Sequence, residues 1–246
     1  GDEGQRLRVH SKRSHNGFRI LVGEDSKDDV QRLALGKQIA ERQGRLRSEH
    51  LIHLRCEVSA DNVLDHFADF ANDPYVRLVS LMDHAPGQRQ FQTMDQYIFY
   101  YQKKRGLSDE AFKIFIDKRV EESERNSTPH RIAIAKVCAD NGITVASHDD
   151  ATLAHVDEAI GNGVKLAEFP TSLDAAKASH QAGMSVLMGA PNIVRGKSHS
   201  GNIAARDLAE KDVLDVLSSD YVPLSLLYAP FILADDVDSI SLPKAI

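Results

Sequence analysis

Gly142, Gly163 and Gly183 recur at intervals of 21 and 20 residues, each closing a helical stretch and preceding a short apolar run. Few arrangements accommodate that rhythm. Thr128-Pro129 offers a cap and a first-turn proline, Ile132, Val137 and several alanines follow at helical spacing, and Asn141-Gly142 ends the helix. Ile143 to Ala146 then reads as a strand ending in Ser147-His148-Asp149-Asp150, whose aspartates are candidate caps for a helix to about Gly161. Val164 to Phe169 is the next strand. Pro170-Thr171-Ser172 repeats the punctuation, an alanine-rich helix runs to Gly183, and Met184 to Met188 is a further strand leading into a loop from Gly189. Strands this apolar, alternating with helices, are parallel and covered on both faces.

The same scheme extends in both directions. Leu51 to Val58, Val76 to Met82 and Val213 to Leu217 read as strands, and Val63, Leu64, Phe67 and Phe70 form one apolar helix stripe. Residues 92–125, with Tyr97, Tyr100, Phe112 and Phe115 at helical spacing, read as a helical excursion between strands. The expected class is α/β, a TIM-barrel-like (β/α)₈ fold. Six strands do not close eight, so the barrel is expected to be incomplete and the chain a piece of a longer one. Phe18 to Val22 is a candidate seventh strand. Residues 1–49 are expected to be a divergent leader and residues 50–246 the barrel portion.

In such barrels chemistry sits at the carboxyl ends of strands. Glu57, His84, His148 and Asp220 each fall at the end of a different predicted strand. Histidines with carboxylates suit zinc, manganese or iron, and a bridging glutamate could join two ions. Each residue alone is more often a cap or a hydrogen-bonding group; their shared position is the signal. Asp220, after the last strand, could bind metal and take a proton from an attacking water. Asp83 is a candidate to orient its neighbour His84. A second constellation is the loop 189–202, where Asn192, Arg195, Lys197, Ser198, His199 and Ser200 could cradle an oxyanion. Pro191 occupies the glycine position of a Walker A loop, so the Gly-Lys-Ser match there is accidental. Glu168 points either into the rim or into an ion pair, and His155 and His180 read as surface or packing residues.

Composition limits the partners. The formal net charge of −6 argues against coating nucleic acid or an anionic membrane through bulk charge, so phosphate binding must be local. With 42% hydrophobic residues a sizeable core can form, no apolar run has membrane-span length, and the start carries no signal-peptide apolar region. Two cysteines far apart in sequence, Cys56 and Cys138, fit a reduced cytoplasmic protein.

With these segments placed, the chain resembles the PhnM-type metal-dependent hydrolases of phosphonate breakdown, within the amidohydrolase superfamily. HLRCEVS (53–59), LVSLMDHAPGQRQF (78–91), ASHDDAT (146–152), AEFPTSLDAA (167–176), VLMGAPNIVRGKSHSGN (186–202) and LSSDYVPLSLL (217–227) carry the resemblance, in family order. It implies an amidohydrolase barrel that hydrolyses α-D-ribose 1-methylphosphonate 5-triphosphate to the 5-phosphate and pyrophosphate, with water as nucleophile. It implies one or two divalent ions, zinc first and manganese or iron as alternatives, on Glu57, His84, His148 and Asp220, with Asp220 as base. The NIVRGKSHSGN loop would meet the phosphates or phosphonate. The partner is then a small phosphorylated sugar, and a homo-oligomer is expected. The family's first strand, with its His-x-His or His-x-Asp pair, and its small β-rich portion are not matched here. Two alternatives stay open: a deacetylase or deaminase on the same centre, and a catalytically silent domain without the first ligand pair.

Overall fold

The computed structural model describes residues 8–9, 18–22, 38, 51–89, 108–198 and 202–246. Its strands are β1 Arg8–Val9, β2 Phe18–Val22, β3 Ile52–Glu57, β4 Val76–Met82, β5 Thr144–His148, β6 Leu166–Glu168, β7 Ser185–Gly189 and β8 Val216–Ser218. Its helices are α1 Val63–Ala68, α2 Asp109–Asp140, α3 Leu153–Gly161, α4 Leu173–Gln181, α5 Ala190–Arg195, α6 Ala205–Glu210, α7 Ser225–Asp236 and α8 Leu242–Ala245. The chain divides into two compact units, one spanning Asn16–His148 and the other Gly1–His15 with Asp149–Ile246. The architecture is α/β with parallel strands, as expected.

In the first unit β2, β3, β4 and β5 lie side by side in that order, all parallel. Leu54 pairs with Val79 and Val79 with Val145, which makes one face apolar. Arg55, Ser80 and Ala146 are paired across the other face, which therefore also carries His53, Glu57 and His148 by the two-residue period. Glu57, Cys56 and Leu54 are all fully buried, so this sheet is covered on both faces. In the second unit β6, β7, β8 and β1 are neighbours in that order, again parallel. Val186, Met188, Ile193, Leu208, Leu217 and Leu233 form the centre of its core.

The glycine rhythm has a local cause. After α2, the Gly142 N–H bonds the Ala139 carbonyl at 3.3 Å and the Ile143 N–H bonds the Cys138 carbonyl at 2.9 Å. After α3, Gly163 and Val164 bond Ile160 and Ala159 in the same way, and after α4, Gly183 and Met184 bond His180 and Ser179. These are Schellman caps, in which the residue after the cap adopts positive φ, and the three glycines do so at 65°, 69° and 82°. A fourth copy follows α6: Asp212 bonds Ala209 and Val213 bonds Leu208, with Asp212 itself at φ 55°. An aspartate stands where the other units have glycine.

Several boundaries depart from the sequence reading. Thr128-Pro129 does not start a helix; α2 runs unbroken from Asp109, capped by the Ser108 side chain accepting from the Ala111 N–H, with Pro129 inside it. The same ring that suits a first turn is carried in the interior because α2 has buried residues on both sides of it, from Phe112 to Cys138. Tyr97 and Tyr100 lie outside the described residues; Phe112 and Phe115 stack on α2, centroids 6.1 Å apart. Asp149 and Asp150 do not cap α3, since Thr152 does so by accepting from the His155 N–H. The segment after Gly189 is not all loop: α5 occupies its first part. Val164–Lys165 and Val213–Asp215 fall outside β6 and β8, which begin at Leu166 and Val216. Phe18–Val22 is a strand, and β1 is one that the sequence did not announce. No helix among the described residues is long and apolar enough to cross a membrane.

A Cβ at Gly163 would meet nothing within 4 Å, so the whole cost of a side chain there is backbone conformation. Gly163→Ala is expected to lower the unfolding free energy by about 1–2 kcal/mol. Asp212→Gly, which relieves the same conformation, is expected not to lower it; urea unfolding of both variants checks the pair.

Candidate functional site

The first unit brings three of the four predicted ligand residues together. Glu57 ends β3, His84 stands two residues after β4, and His148 ends β5. A carboxylate as buried as Glu57 is costly unless every lone pair is engaged. Here the Ser59 hydroxyl donates to Oε1 at 2.8 Å, the His84 backbone N–H donates to the same oxygen at 2.9 Å, and His84 Nδ1 meets Oε2 at 2.6 Å. The Arg119 guanidinium lies 3.6 Å from Oε1. Burial alone would push the Glu57 carboxyl up, but the charge and hydrogen bonds of His84, helped by Arg119, outweigh it and hold it at about 2. Glu57 is therefore a carboxylate, which accepts, and His84 Nδ1 donates to it.

That bond turns the other ring nitrogen of His84 away from Glu57. The His148 ring stands edge-on to it, centroids 5.6 Å apart at 82°, and ligand atoms of the two histidines lie within 4.8 Å of one another. Two imidazoles this close, one braced from behind by a carboxylate, suit a divalent transition ion. The donor set fits the implied metal, with Asp149 following His148 directly in the chain. One neighbour is unexpected: Arg55 Nη2 meets His148 Nε2 at 2.8 Å. Guanidinium has no acceptor, so Nε2 accepts this bond through its lone pair.

Helix α2 braces the same strand ends. Asn126 donates to the Ser59 carbonyl at 2.9 Å, His130 Nδ1 donates to the Val58 carbonyl at 2.8 Å, and Arg119 reaches Ser59 Oγ at 3.3 Å. Asp83 does not orient His84: its Oδ2 accepts from Ser123 at 2.8 Å and from Ser127 at 2.6 Å, both on α2, and its Oδ1 from the Ala85 N–H. Successive residues of a strand exit face opposite ways, and the partner of His84 comes from the neighbouring strand. Arg55, Arg119 and Ser59 were not singled out from sequence. Arg55 was findable, because it precedes Glu57 by one strand period; Arg119 was not, being 62 positions away on a helix.

The second unit holds the remaining predicted residues. Asp220 has φ 45°, and its carboxylate lies against the end of β7, where a Cβ at Gly189 would stand 3.6 Å from both its Cβ and its Oδ2, an ordinary van der Waals contact. Asp149 and Phe169, directly after β5 and β6, are also left-handed, at φ 56° and 57°. Strained residues of this kind cluster at functional rims. Glu168, whose direction the sequence left undecided, is buried as the last residue of β6. Asn192 Oδ1 accepts from the Ala205 N–H at 2.9 Å, which ties it to the start of α6, and Arg195 donates to the Tyr221 hydroxyl at 2.9 Å. Lys197 and Ser198 follow α5; His199 and Ser200 lie outside the described residues. His155 accepts from the Ala151 N–H, and His180 pairs with Asp215 at 3.4 Å.

The low Glu57 value has a consequence for the metal-free protein. Its stabilisation is complete above the ordinary 4.5 and is lost as pH falls toward about 2. The difference in unfolding free energy between the wild type and Glu57→Gln is thus expected to be largest above pH 4.5 and to shrink across that window, as measured by denaturant titration at a series of pH values.

No family model matches the chain. Among solved structures, the crystal structure of an uncharacterized protein superposes with a TM-score of 0.38 at 13% identity, covering 78% of this chain and 60% of that one. The chain spans 60% of the length of the curated relative it matches. Over 228 residues, 92% of this chain, it is 46% identical to that relative, the alpha-D-ribose 1-methylphosphonate 5-triphosphate diphosphatase of Escherichia coli (strain K12).

Proposed function

We propose that the chain is the barrel portion of a metal-dependent hydrolase of phosphonate catabolism, which cleaves α-D-ribose 1-methylphosphonate 5-triphosphate to the 5-phosphate and pyrophosphate. The observation that carries this reading is the 46% identity to a diphosphatase of that name, together with the His84–His148 pair braced by Glu57. In this reading the strands form part of an amidohydrolase barrel, and the partner is a small phosphorylated sugar. The protein acts in the cytoplasm as a homo-oligomer.

His84, His148 and Asp220 hold one or two divalent ions, zinc first and manganese or iron as alternatives, with Glu57 as a further ligand or as the group that aims His84. The ion, when bound, supplies Lewis acidity toward the charge that develops on the phosphoryl oxygens. The residues of the chain do the rest. Asp220 takes the proton of the attacking water at its carboxylate, while that water's oxygen bonds the phosphorus nearest the ribose and the anhydride bond to the next phosphate breaks. Pyrophosphate leaves with the electron pair. Arg195 and Lys197, with Asn192, Ser198, His199 and Ser200, hold the polyphosphate in line; exposed cations at the end of α5 suit that task.

The test uses the full-length protein loaded with metal. Pyrophosphate is expected in one-to-one ratio with α-D-ribose 1-methylphosphonate 5-phosphate, and chelation is expected to stop its release. Asp220→Asn should lower kcat by about 10²–10⁴-fold, the usual worth of a general base. Arg195→Ala should chiefly raise KM, by about 1.5–3 kcal/mol of binding if one charged hydrogen bond is lost. Orthophosphate in place of pyrophosphate, or undiminished turnover in Asp220→Asn, would contradict the reading.

A further inference from the structure

The geometry points to Arg55 as an anion-binding residue held in reserve on His148 and released when a metal ion takes the His148 Nε2 lone pair. This rests on the metal-hydrolase reading above and adds a residue and a coupling to it. Arg55 lies on the same face of β3 as Glu57, one strand period before it, and its Nη2 meets His148 Nε2 at 2.8 Å. Its buried Nε has no hydrogen-bond partner among the described residues. A planar guanidinium, built for two-pronged contact with phosphate or carboxylate, is thus bound through one corner by a neutral acceptor.

One lone pair serves one partner. Nε2 cannot accept from Arg55 and ligate a cation at once, and two positive charges at that nitrogen would repel strongly in a partly buried setting. Metal loading through Nε2 therefore displaces the guanidinium, with no proton transferred, since Arg55 keeps its charge and His148 only changes the partner of its lone pair. The freed fork, on the face of β3 that also carries Glu57, is then available to an anion that the bound ion attracts. A polyphosphate or phosphonate oxygen then replaces a weak neutral acceptor with a charged one, so metal and anion favour each other's binding. Without metal, Arg55 stays on His148 and adds little to anion affinity.

The experiment measures zinc affinity by chelator competition, and pyrophosphate affinity by calorimetry, on full-length wild type and Arg55→Met. Arg55→Met is expected to bind zinc about tenfold more tightly, because no charged hydrogen bond has to be broken first. It should bind pyrophosphate about tenfold more weakly than wild type in the zinc-loaded form, and equally in the metal-free form. Equal or weaker zinc binding by the variant overturns the exchange while leaving the hydrolase reading intact. Zinc binding by neither protein overturns both. Should the variant fail to fold, a crystal structure of zinc-loaded wild type with pyrophosphate decides: Arg55 on a pyrophosphate oxygen supports the exchange, and Arg55 still on His148 Nε2, with zinc on Nδ1 or elsewhere, overturns it.

Discussion

A carboxylate removed from water at the end of β3 organises the first unit. Left alone, Glu57 would sit there only as a neutral acid, because burying the ionised group costs several kcal/mol. It remains ionised because His84, Ser59 and Arg119 converge on its two oxygens. That convergence dictates the approach of β4 to β3, since the backbone and ring of His84 both bond the same carboxylate. It also turns the far edge of the imidazole toward His148, so that an electrostatic debt in the core becomes a directed ligand.

Helix α2 is the second support. Its polar residues Arg119, Ser123, Asn126, Ser127 and His130 are spent on the ends of β3 and β4, which is unusual for a helix whose buried side should be apolar. The pattern makes sense if those strand ends are polar for reasons of chemistry and need partners that a hydrocarbon face cannot provide. A helix with an oily stripe would pack a strand; this one fastens a site.

Much of the layout is legible in the amino-acid sequence. Glycine at 142, 163 and 183 marks helix ends because a Schellman cap needs a left-handed residue, a requirement that is local and therefore visible in the chain. Asp212 does the same work without glycine's signature, so the fourth unit was blurred. Apolar strands were legible because both faces of a parallel sheet are covered. Pro129 misled because its preference for a first turn is real, whereas its tolerance within α2 depends on packing along the whole helix. Asp83 misled for a geometric reason: sequence neighbours on an extended chain point apart, and α2 captured it.

The amino-acid sequence by itself determined the alternation of strands and helices, their caps and the residues that end each strand, because these follow from local backbone preference and apolar period. Only the tertiary structure decided that Glu57 rather than Asp83 aims His84, and that Arg55 stands on His148. Those pairings join strands and helices that are distant in the chain, and they are selected by which lone pairs and cations must satisfy one another once water is gone.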